Sequence, residues 1–253
     1  MTDLKALIFD VDGTLANTEE AHRQAFNYSF KEAGLDWEWD VELYTKLLKV
    51  TGGKERIRYY VEEFLNQEIE QDKVVALHLA KNERYQSVVL DKQLPLRPGI
   101  KRIIEQAREQ NMTIAIATTT SPGNVNNLVK ACFGDDALDW FAIIAEGELV
   151  PIKKPKPDVY EYVLEHLNLS AKECIALEDS YNGVRAATCI NMPTLITSNN
   201  YTSEDDFTGA MIVLDSLGDE QEPCHVLASE IDVKIDGMVN LDTLIEMHKT
   251  YTK

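Results

Sequence analysis

The sequence predicts an α/β fold, a parallel doubly wound sheet carrying an inserted all-α lobe. Three observations support this. Short apolar runs alternate with helical patterns from residue 97 onward, the hallmark of a sheet wound with helices on both faces. The first run, Ala6-Leu7-Ile8-Phe9, is continuously apolar, as in a strand covered on both sides. Residues 16–96 break the alternation with helical patterns only.

In chain order, the first strand is expected at 5–10. Asn17 and Glu20 have the spacing of a capping box, and Ala21, Ala25, Phe26, Phe30 and Ala33 form an apolar stripe that stops at Gly34. Further helices are expected from Asp40 to about Val50, from Lys54 to about Gln67 and from Asp72 to about Val89. Ile57, Tyr60, Val61, Phe64 and Leu65 share one face of the second of these. The division is therefore a core of residues 1–15 and 97–253 with a helical cap of residues 16–96. Two chain crossings make a hinge, and a hinge implies a lid. Beyond it, strands are expected at 112–118, 141–145, 174–178, 193–197 and 211–215. Helices between them carry Ile100, Ile103, Ile104 and Ala107 after Pro98, then Val125, Leu128, Val129 and Cys132 after the cap and N1 proline Ser121-Pro122, then Tyr160, Val163, Leu164 and Leu167. The acidic clusters within 199–232 are expected to be solvated surface.

A composition of 44% hydrophobic and 27% charged residues is that of a globular protein. The net charge of −18 disfavours nucleic acid and anionic membrane as partners. An anionic substrate must then be recognised by local cations. Met1 to Lys5 lead directly into the first strand with no signal-peptide pattern, and no apolar run approaches the roughly 18 residues of a membrane span. The four cysteines lack CxxC spacing and suit reduced core thiols. A cytoplasmic monomer is expected, or a plastid stromal one if a longer precursor carries a transit peptide.

Chemistry gathers at strand ends, where open parallel sheets bind ligands. Asp10 and Asp12 sit two apart before the turn at Gly13 and face one side if the chain stays extended. Thr118, Thr119 and Thr120 precede a helix N-terminus whose first turn carries Asn124, a cradle for phosphate. Lys154 lies in Lys-Lys-Pro-Lys-Pro-Asp, and Glu178-Asp179 end the fourth strand. Singly, each has a bland role as cap or solvated loop. Together they specify a hard cation and a phosphoryl group: Asp10, Asp12, Glu178 and Asp179 as candidate ligands of Mg²⁺, with Thr118 and Lys154 holding phosphoryl oxygens. Asp10 suits a nucleophile forming an aspartyl phosphate, and Asp12 suits the proton donor and acceptor.

"FDVDGTL", "ATTTS", "KKPKPD" and "LEDSYNG" stand in the order of the four motifs of the haloacid dehalogenase superfamily, which this chain resembles. The resemblance implies a Rossmann-like core, a helical cap inserted after the first strand, Mg²⁺, and Asp10 as nucleophile. The second acid, Asp12, argues against dehalogenation. "TGGKERI", "LRPGI", "ACFG" and "ALEDSYNGVRAA" resemble, more narrowly, the CbbY family of sugar-phosphate phosphatases. That resemblance implies removal of one phosphate from xylulose-1,5-bisphosphate, a small phosphorylated sugar linked to the Calvin cycle.

In the cap, Gly52 and Gly53 open a helix where backbone N–H groups can approach an anion, and Lys54 and Arg56 follow. Lys81 interrupts an apolar face, and Glu19 and His22 lie close to the catalytic turn. Lys54, Arg56 and Lys81 are the expected holders of a distal phosphate; snorkelling at the cap edge is the bland alternative for Lys81. β-Phosphoglucomutase shares the core motifs and a Thr-x-x-x-His element like Thr18 to His22, but Glu55 falls where that enzyme has a phosphate-binding arginine. Phosphoglycolate phosphatase is another relative. A non-catalytic sugar-phosphate-binding regulator is the alternative of another class, and the presence of Asp10, Asp12, Lys154 and Asp179 argues against it.

Overall fold

The computed structural model describes residues 2–91 and 94–253. Seven strands form one sheet in the order β3-β2-β1-β4-β5-β6-β7. They are β1 (Ala6–Phe9), β2 (Thr113–Ala117), β3 (Ile144–Ala145), β4 (Cys174–Glu178), β5 (Thr194–Thr197), β6 (Ile212–Leu214) and β7 (Val226–Ser229). The first six pair in parallel, and β7 runs antiparallel to β6 at the edge. Because β1 lies between β2 and β4, with Phe9 in register with Ile116 and Leu177, Asp10, Thr118 and Glu178–Asp179 emerge side by side.

Helices cover both faces. Leu7 and Phe9 pack with Ile104 of α5 (Ile100–Glu109), Val129 of α6 (Pro122–Phe133) and Leu244 of α9 (Leu241–Tyr251). Ala6 and Ile8 pack with Val159 and Val163 of α7 (Asp158–Leu167) and Ala186 of α8 (Tyr181–Thr188) on the other face.

Between β1 and α5 lie α1 (Glu19–Glu32), α2 (Val41–Leu47), α3 (Gly53–Tyr59) and α4 (Gln71–Leu90). They enclose a hydrophobic cluster of their own, including Phe26, Phe30, Trp39, Tyr44, Ile57 and Leu77. Tyr85 and Val89 near the end of α4 join the sheet's cluster instead. The two chain crossings run side by side: Arg97 N–H donates to the Leu15 carbonyl at 2.9 Å, and Ala16 bridges Leu96.

Several local expectations are corrected. The capping box of Asn17 and Glu20 does not form. Thr18 is the N-cap residue and gives its hydroxyl to Asp12, while Glu20 is held by Arg23 at 2.6 and 2.9 Å. The strand expected at 141–145 shrinks to Ile144–Ala145 after a 3₁₀ turn over Asp135–Trp140, although Ala142 N–H already donates to the Ile114 carbonyl at 2.9 Å. The helix expected to run to about Gln67 leaves α geometry at Tyr60 for a wider π turn ending at Phe64. Residues 199–232 hold β7 as well as acidic surface; its four residues are all exposed, which erased the alternation that marks a strand.

Candidate active site

Three loops leaving the sheet converge on Asp10. Its Oδ1 accepts a 2.6 Å bond from Lys154 Nζ, which also donates to Glu178 Oε1 at 2.6 Å and to the Ala117 carbonyl at 2.8 Å. Tyr160 donates its hydroxyl to the same Glu178 oxygen at 2.5 Å. Asp179 accepts from Asn199 Nδ2 at 2.7 Å. Ligand oxygens of Asp10, Glu178 and Asp179 lie within 4.8 Å of one another, all buried.

Three carboxylates around one ammonium leave negative charge that burial penalises. Burial pushes Asp10 up to about 8 against the pull of Lys154, with Glu178 adding to the rise. Burial, then Asp10 and Glu178, push Asp179 well above the usual carboxylate range. An all-oxygen donor set with excess negative charge fits Mg²⁺. The local sequence is shaped for this crowding. Gly13 has φ of +80° and presses its Cα against the Asp179 carboxylate, where any Cβ would overlap. Gly183 does the same for Glu178, letting the first turn of α8 close over that carboxylate.

Asp12 faces elsewhere. Its Oδ1 accepts from Thr18 Oγ1 at 2.7 Å and meets His22 Nε2 at 3.0 Å, so its carboxylate stands outside the triad of Asp10, Glu178 and Asp179. Burial alone would raise Asp12, but His22 and the Thr18 hydroxyl hold it well below the ordinary range. Burial and the charge on Lys81 lower His22, while the Asp12 carboxylate 3.0 Å from its Nε2 pulls the other way. The ring stacks on Tyr85 at 3.8 Å between centroids.

A cavity of about 460 Å³ opens above these groups. It is lined by Asp10, Asp12, Thr118, Lys154 and Asp179 from the sheet side, with Thr119, Thr120 and Asn124, and by Glu19, His22, Gly52, Gly53, Lys54, Arg56 and Lys81 from the helical side. Glu178 stands behind Lys154 and does not line it. Lys81 is buried, 5.0 Å from the Phe26 ring and 5.4 Å from that of Tyr85, and burial lowers it to about 8. Arg56 is held by Tyr44 Oη at 3.1 Å and the Leu47 carbonyl at 3.2 Å, and Glu19 accepts from the same tyrosine at 2.8 Å. Asn124 bonds Gln86 and Asn82 of α4, at 3.1 and 3.3 Å.

The two cap glycines serve a purpose the sequence did not suggest. Gly52 sits at φ +98° beside the Glu55–Lys153 ion pair, which closes at 2.8 Å between cap and core. Gly53 leaves room for His78, whose ring a Cβ there would meet at 2.6 Å. His78 and Lys153 line the cavity, as does Asn182, which ties Thr51 and the Leu48 and Lys49 carbonyls to the core. These three and Asn199 were not among the expected site residues. Asn199 was findable, since it follows the end of β5 as the other groups follow theirs.

A lysine clasped by two buried carboxylates under a polar, cation-lined cleft at the carboxyl edge of a parallel sheet defines a phosphohydrolase. A family model for haloacid dehalogenase-like hydrolase matches residues 4–191. The CbbY protein of Cupriavidus necator is 50% identical over 224 residues, 87% of this chain and 88% of that one. The chain belongs to the haloacid dehalogenase-like hydrolase family, among its CbbY members, and is a phosphatase. Crystal structures of CbbY from Rhodobacter sphaeroides, one with phosphate and one of a mutant with xylulose-1,5-bisphosphate, superpose with a TM-score of 0.80 at 42% identity, covering 84% of this chain and 94% of theirs.

Proposed function

We propose that this chain is a Mg²⁺-dependent phosphatase that removes one phosphate from xylulose-1,5-bisphosphate through an aspartyl phosphate on Asp10. The observation that carries this is the position of Asp10: its carboxylate lies on the floor of the cleft, against Lys154, opposite cap cations able to hold a second phosphate. The bisphosphate bound by the Rhodobacter sphaeroides relative supports the same substrate.

In this mechanism Asp10 attacks phosphorus in line as the bond to the sugar oxygen breaks. Asp12 gives that oxygen its proton, and later takes one from the water that cleaves the acyl phosphate and frees Asp10. Asp12 is ionised beside His22 and Thr18 here, so it takes up its proton from solvent as the substrate binds, the like charge of the arriving phosphate raising its proton affinity. Lys154 and Thr118 stabilise the phosphoryl oxygens. A divalent cation held by Asp10, Glu178 and Asp179 would offset charge on the same oxygens. Residues 16–96 form the cap and residues 1–15 and 97–253 the core, with cap closure keeping bulk water from the reacting phosphoryl group.

The test is phosphate release from xylulose-1,5-bisphosphate, ribulose-1,5-bisphosphate, phosphoglycolate and β-glucose 1-phosphate at matched concentrations with Mg²⁺. Xylulose-1,5-bisphosphate is expected to be strongly preferred, and Asp10→Asn to lower turnover by at least ~10³-fold. Isomerisation of β-glucose 1-phosphate with little phosphate released would overturn the hydrolytic reading in favour of a mutase.

A further inference from the structure

Arg97, at the second chain crossing, is buried, and among the described residues its guanidinium makes no hydrogen bond to a carboxylate. Its Nη1 donates to the Gly13 carbonyl at 2.5 Å and to Thr197 at the carbonyl, 2.6 Å, and the hydroxyl, 3.1 Å. Its Nη2 donates to the carbonyls of Ser198 and Asp215, both at 2.6 Å. One planar fork thus joins the turn after β1 to the ends of β5 and β6, a geometry that the single ammonium of lysine cannot reproduce. An apolar side chain would fill the same space without the cost of burying a cation.

The groups it grips lead to the reaction centre. Gly13 presses its Cα on the Asp179 carboxylate, and Asn199, next after Ser198, donates to that carboxylate at 2.7 Å. We infer that Arg97 is a positioning residue for phosphoryl transfer: through Gly13 and Asn199 it fixes Asp179 relative to Asp10. This rests on the reading of Asp10 and Asp179 as the reaction centre. Arg102 supplies a control, since it grips the carbonyls of Leu217, Gly218 and Val239 without touching the loops that bear Asp10 and Asp179.

The experiment compares Arg97→Lys, Arg97→Ala and Arg102→Ala with the unaltered chain, using an aryl phosphate with Mg²⁺ and normalising kcat to folded protein measured by circular dichroism. Arg97→Lys is expected to lose ~10²-fold in kcat with KM within about twofold, since small misplacements far from the bond being broken can cost that much. Millimolar guanidinium is expected to restore part of the Arg97→Ala turnover, where sodium chloride at the same strength does not. Arg102→Ala is expected to lower the melting temperature and leave kcat intact. The inference is overturned if Arg97→Lys keeps kcat within threefold, if its loss lies in KM, if Arg102→Ala loses kcat equally, or if neither Arg97 variant folds. Full turnover by Asp10→Asn would instead overturn the underlying reading of the site, whatever Arg97 does.

Discussion

At the scale of single residues, the site is a problem of charge. Asp10 is raised from an ordinary 3.8 to about 8, first by burial, so at pH 7 without a cation it holds a proton. Cation binding at pH 7 is therefore expected to release protons from Asp10 and from Asp179, which burial also raises, with the Asp10 share fading as pH passes 8; calorimetry in buffers of different ionisation enthalpy would measure this. The linkage has a definite sign. The folded chain binds the Asp10 proton more tightly than the unfolded one, so the stability it contributes is full below pH 4 and lost as pH rises through about 8. Lys81 behaves oppositely, lowered by burial from 10.5 to about 8. Its neutralisation above pH 8 is expected to reduce kcat/KM for the bisphosphate, and Lys81→Arg should move that limb beyond the measurable range, which a pH–rate profile would show. Asp10, Thr118 and Asp179 were legible because each directly follows a strand, and strand ends of a parallel sheet converge; Lys154, in the loop beyond β3, stood out by its lysine–proline run. The partner of Asp12 was less so. Asp12 breaks from strand geometry after Phe9, so two-residue alternation does not describe where its carboxylate turns.

Among the elements, the long cap helix was legible and the last helix was not. The long helix α4, expected over 72–89, spans Gln71–Leu90 because Val74, Leu77, His78, Lys81, Tyr85 and Val89 line one buried face. The last helix, α9, went unanticipated, although Leu241, Leu244 and Met247 share a face and Asn240 caps it through Thr243 N–H. The cap helices stand on their own cluster of aromatic rings, with Phe30 4.9 Å from Trp39 and 5.4 Å from Trp37 between centroids. Phe30→Ala is expected to cost about 3–5 kcal/mol. The loss should fall on the cap first, so the fluorescence of Trp37 and Trp39 should change at lower denaturant than the far-ultraviolet signal of the sheet and its helices.

For the whole molecule, composition weighs against classes of partner and selects none. The charge of −18 speaks against nucleic acid, while the cations that would meet a phosphate, Lys54, Arg56, Lys81 and Lys154, are brought together only by folding. The parallel strands were legible because they are buried and mostly apolar; the antiparallel edge was not, because β7 buries none of its four residues. The side-by-side crossings at Leu15–Ala16 and Leu96–Arg97 have a consequence for how the helical insertion can vary. To the sheet, everything between them is an insertion whose two ends already touch, so its length can change without parting the strands, while Tyr85 and Val89 pack into the sheet's cluster and Thr18 and His22 hold Asp12. A chimera carrying another family member's helical insertion between residues 15 and 97 is expected to fold and to hydrolyse aryl phosphate while adopting the donor's substrate preference. Substrate preference is then expected to travel with the insertion, while the nucleophile and its lysine stay with the sheet.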